Sequence, residues 1–100
     1  MNMIELETRD QIWDTLIPFS KWIPKSLIRN LVLAKDSYKI LSVSVSGNTS
    51  TKKSRWDGLL LINLNDSVCS TEYVINAFVS VSNAHEICME DSKTLRLWWD

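Results

Sequence analysis

His85 is the only imidazole in this 100-residue chain, and Glu86 and Cys88 follow it closely. A thiol with a neighbouring base is the smallest group that could do nucleophilic chemistry. Here no glycine-rich turn stands nearby to stabilise an oxyanion, so His85 reads as a surface or strand-end residue. A single histidine also rules out metal sites that need two or three imidazoles. Cys69 and Cys88 do not form a Cys-x-x-Cys pair, so a structural zinc site is not expected, and without an export context both read as reduced, partly buried thiols. Gly47 and Gly58 are the only glycines, and neither lies in a loop that could cradle phosphate. The chain is therefore expected to have no catalytic residues, no cofactor and no metal, and not to be an enzyme.

Two groups of residues could instead bind a partner. Lys25 and Arg29, one helical turn apart, together with Lys52, Lys53 and Arg55 beside Trp56, could hold phosphates and stack a base. A solvated helix face with a lysine-rich loop is the plainer reading, and an overall pI near 5.8 argues against a dedicated nucleic-acid module. The second group is aromatic and acidic. Five tryptophans are several-fold more than an ordinary globular chain carries. Trp98 and Trp99 are adjacent, so in a strand they point to opposite faces: Trp99 with Leu95 and Leu97, Trp98 with Arg96. Tryptophan beside arginine is the composition of an interface hot spot, and Glu86, Glu90, Asp91 and Asp100 add an acidic rim. A Trp that covers a small core or mediates a homodimer contact is the alternative.

The elements that must position these residues are legible from periodicity. Thr8 to Gln11 fits a capping box, with a helix starting near residue 9 and an apolar stripe of Ile12, Leu16 and Phe19, Trp13 and Ile17 lying alongside. Pro18 limits that helix, and Pro24 suits the first turn of a second one over about 24 to 34. Strict alternation from Leu41 to Ser46 predicts a strand with one wet face. Residues 56 to 64 read as a central strand, apolar on both faces. Tyr73 to Ser82 reads as a further strand, and Glu86 to Met89 and Thr94 to Trp99 as two short ones. Connections too short for crossover helices predict an antiparallel meander. The expected fold is α+β, one domain over 1–100, with two N-terminal helices packed on a mostly antiparallel sheet of about five strands.

Composition sets the remaining bounds. The chain is 45% hydrophobic and 23% charged, as in folded globular domains. Its acidic N-terminus lacks the features of a secretory signal, and no run approaches the length of a membrane span, so a soluble, cytoplasmic protein without membrane contact is expected. The net charge of −1 hides a segregation: residues 1–20 balance to −3, residues 21–55 to +7 and residues 56–100 to −5. Such asymmetry often marks a surface for a charged partner. In size, absence of an active site, acidic second half and surplus tryptophan, the chain resembles the small immunity proteins that neutralise a cognate bacterial toxin, including those of contact-dependent growth inhibition. The resemblance is one of type, carried by features such as Glu86, Glu90, Asp91, Trp98, Trp99 and Asp100. It implies a non-catalytic module that binds a toxin domain, with acidic side chains opposing the basic groove of a nuclease. A small nucleic-acid-binding regulator using the basic segment 21–55 is the alternative.

Overall fold

The computed structural model describes residues 3–47 and 58–99. The Thr8 hydroxyl accepts the Gln11 amide at 3.1 Å, and the Gln11 side chain accepts the Thr8 amide in return. This reciprocal cap starts α1 (Arg9–Leu16), which gives way at Pro18 to a 3-10 turn over Ile17–Phe19. Pro24 caps α2 (Lys25–Asp36), and Arg9 joins the two helices through an ion pair with Asp36 at 2.9 Å. Ile12, Leu16, Phe19, Leu27, Ile28 and Leu31 are buried as their spacing predicts. Trp13 departs from expectation: it lies on the outer side of α1, about 37% exposed.

Among the described residues the sheet has five strands: β1 (Ile4–Leu6), β2 (Ile40–Gly47), β3 (Gly58–Leu64), β4 (Glu86–Met89) and β5 (Thr94–Trp98). Their spatial order is β1-β2-β3-β5-β4, and every neighbouring pair is antiparallel. The fold is thus α+β with β3 in the centre, but it is not a meander. Since β3 and β4 each run antiparallel to the strand between them, they are parallel to each other. A parallel return cannot be made by a tight turn; the chain must cross one face of the sheet.

That crossing corrects the expected strand over Tyr73 to Ser82. The segment is helical: α3 (Thr71–Val74) continues as a wider turn over Ile75–Val79, closed by a bond from the Ser80 amide to the Ile75 carbonyl at 2.8 Å. Ser70 caps its start by accepting the Tyr73 amide at 3.1 Å. Val74 and Phe78 are buried with Tyr73 and Ala77 half-buried beside them, so one stripe of the segment at spacings of one and four faces the core. Its β-branched and aromatic composition suggested a strand, but the spacing is helical. A third helix therefore stands between β3 and β4, so the helices are not all N-terminal, and the fifth strand is the short β1, where Leu6 is buried and Glu5 exposed.

One face of the sheet supplies the core. Val43, Val45, Leu60, Ile62, Leu95, Leu97 and Trp99 are buried beneath the helices, and the Asn30 side chain ties α2 to the Ala77 carbonyl at 2.7 Å. Asn65 fixes the exit of β3: it donates to the carbonyls of Tyr38 and Lys39, beside the turn that ends α2. Phe78 is fully buried, edge-on to Tyr73 at 5.7 Å. Phe78→Ala is expected to cost about 3–5 kcal/mol of stability, and Thr8→Ala about 1 kcal/mol. Urea unfolding followed by circular dichroism measures both. A near-neutral Phe78→Ala would contradict the packing of the crossover helix.

Candidate functional site

The sheet face turned away from the helices is the candidate site. Strand register arranges its side chains in rows. Glu5, Ser44, Leu61, Arg96 and Cys88 form one row across all five strands; Leu59, Trp98 and Glu86 form another, and Ser42, Asn63 and Thr94 a third. Leu59, Leu61, Arg96 and Trp98 are half-buried by their neighbours in the sheet. Polar groups brace the β1 side, where Asn63 Nδ2 donates to Ser42 Oγ at 2.8 Å and to Ser44 Oγ at 3.2 Å, and Ser42 bonds Glu5 at 3.3 Å. On the other side, Glu90 Oε1 lies 3.4 Å from Arg96 Nε and steadies the guanidinium. The result is a surface with a leucine pair and an indole in the middle, a positioned arginine next to them, and carboxylates at the rim.

The fold brings together part of the set expected from sequence. Glu86, Arg96 and Trp98 share the open face, and Glu90 reaches it through Arg96. As alternation requires, Trp99 points the other way and is buried with Leu95 and Leu97. Asp91 sits in the turn between β4 and β5, where its carboxylate accepts the Lys93 amide at 2.7 Å, away from Trp98. Asp100 lies outside the described residues. Lys25 and Arg29 are exposed on α2, in the helical layer and thus on the opposite side of the domain, while Lys52, Lys53, Arg55 and Trp56 also lie outside the described residues.

Leu59, Leu61, Ser42 and Asn63 were not singled out by sequence reasoning. The apolar run from Leu59 to Ile62 suggested a strand covered on both faces; helices cover only one. Alternate residues of that run line the open face, a signal that becomes visible once the layer count is known.

Cys69 is half-buried and Cys88 exposed, and both are free. Burial pushes the Cys69 thiol above its ordinary range, against a smaller opposing effect of the Lys39 ammonium. Burial, and then the neighbouring Cys69, push the Tyr73 phenol up as well. Among the described residues, no group of three His, Cys, Asp or Glu side chains could hold a metal ion, and no helix is long and apolar enough to cross a membrane. Compared with known proteins, the chain matches no family model, no curated protein and no solved structure.

Thiol chemistry offers a check on this geometry. Iodoacetamide at pH 8 should modify Cys88 first and Cys69 several-fold more slowly, and Cys88→Ser should remove the fast phase. Because the folded state holds the Cys69 and Tyr73 protons more tightly than the unfolded chain, their contribution to stability is full at neutral pH. It is lost as pH rises through their elevated folded values. Urea midpoints measured from pH 7 to pH 11 should fall at the alkaline end, less so in Cys69→Ala.

Proposed function

We propose that the protein is a non-catalytic binding module of the immunity type, which docks on a cognate toxin through the open face of its sheet. The observation that carries this reading is that Trp98, Arg96, Leu59 and Leu61 share the face left without helices. An indole and a guanidinium on a partly apolar surface are what interface hot spots are built from: the indole buries much area with few rotatable bonds, and the guanidinium offers a planar fork of donors. Arg96 is already steadied by Glu90, so docking has less disorder to remove.

The rim favours a basic partner. Glu86 and Glu90 stand at the edge of the face, and a nuclease toxin presents cationic groups that otherwise hold its substrate's phosphates. The same carboxylates would repel a nucleic acid at this face. The expected site of action is the cytoplasm of the cell that makes the toxin.

The test is co-purification with the product of the neighbouring gene, followed by calorimetric titration. Trp98→Ala should weaken binding by about 2 kcal/mol, roughly 30-fold, and Leu61→Ala and Glu90→Lys should weaken it further. The unfolding midpoint should hardly change for Trp98→Ala, while Lys25→Ala with Arg29→Ala should bind normally. Normal binding by both Trp98→Ala and Leu61→Ala would remove this face from consideration, and a concentration-dependent mass lost in Trp98→Ala would reassign it to a homodimer.

A further inference from the structure

Among the described residues β4 is the last strand of the sheet, and all four of its residues are exposed. Its inward-facing side chains, Ile87 and Met89, stand in the same rows as the buried Leu97 and Leu95, yet they are 43% and 45% exposed. Next to them a cavity of about 340 Å³ opens between β4 and α3, lined by Val74, Ile75, Val79, Ile87, Met89 and Leu95. The core face of the sheet thus runs out past its last strand into an apolar groove with a helix as its far wall.

The backbone of β4 is oriented to use that groove. The Glu90 amide donates to the Thr94 carbonyl at 2.9 Å, and the register places these two residues opposite each other. Hydrogen bonding alternates along an antiparallel pair, so Glu86 and Cys88 turn their amides and carbonyls towards β5. Ile87 and Met89 turn theirs to the free edge. The residues with outward backbone groups are therefore those whose side chains enter the groove. An occupant that satisfies both must itself be an extended strand, with every second side chain in the cavity.

Charge selects among such strands. Between residues 66 and 92, which include α3 and β4, the chain carries Asp66, Glu72, Glu86, Glu90 and Asp91 and no Lys or Arg. A second copy pairing edge to edge would bring a segment of the same sign against this one, and like charges on an edge strand discourage self-pairing. A strand with alternating apolar and basic residues meets no such penalty.

We propose that the free edge of β4 and the adjoining cavity take up an extended basic segment of a partner protein as a sixth strand. This edge adjoins the Trp98 face and shares Glu86 and Glu90 with it, but its backbone groups and cavity are its own, so exchange at Ile87 and Met89 tests it apart from Trp98. The test uses the full chain and a fluorescein-labelled nonapeptide of alternating valine and lysine, with a counterpart that has glutamate at each lysine position. The lysine peptide should bind saturably, and the glutamate peptide at least about tenfold more weakly. Amide hydrogen exchange should slow at Ile87 and Met89 when the lysine peptide is present. Met89→Pro, which removes an outward amide and spares the bonds to β5, should weaken binding at least about tenfold, whereas Trp98→Ala should leave it unchanged.

Equal binding of the two peptides, or none, would overturn the proposal. So would unaltered exchange at Ile87 and Met89, whether or not an apolar compound fills the cavity, and so would protection of those amides by dimerisation of the protein alone. The exchange measurement is made on the unsubstituted chain, so the proposal does not depend on the folding of the proline variant.

Discussion

Insertion of β5 between β3 and β4 governs the arrangement of the domain. Because β5 pairs antiparallel with both neighbours, β3 and β4 must be parallel, and the chain between them has to climb over the sheet. It does so as α3, on the same face as α1 and α2. Burial follows from that choice: Phe78 and Val74 join the one core formed with α1, α2 and the inner face of the sheet. Covering one face of the sheet is also what leaves the other face without helices.

Local signals and this global constraint cooperate at the junctions. The Thr8 and Ser70 hydroxyls each satisfy a free amide at a helix start, and Asn65 holds the end of β3 against the turn after α2. These bonds are small individually. Their effect is to fix where each element begins, so that the apolar stripes of three helices meet one sheet face in register.

The same asymmetry produces two surfaces of different chemistry. The open face offers side chains: an indole, a guanidinium held by a carboxylate, and two leucines on a hydrogen-bonded polar ladder. The β4 edge offers backbone groups next to an apolar groove with carboxylates around it. Both surfaces are suited to recognition by contact, and both are bordered by acidic residues of the second half of the chain.

The sequence by itself determined the elements whose period is clean. The capping box at Thr8, the stripes of α1 and α2, the alternation of β2 and the opposed directions of Trp98 and Trp99 all follow from spacing, because helix and strand repeats differ enough to be told apart over a few residues. The segregation of charge is likewise a property of the sequence. Only the tertiary structure decided the state of residues 71–79, where β-branched and aromatic residues favour a strand and the grouping of Tyr73, Val74, Ala77 and Phe78 favours a helix. Two readings so evenly matched locally are separated by what the sheet requires, a crossover rather than another strand. Tertiary structure also decided that Leu59 and Leu61 line an open face and that Ile87 and Met89 lie at a free edge. Strand order and the number of layers are long-range properties, and no local pattern in a single sequence encodes them.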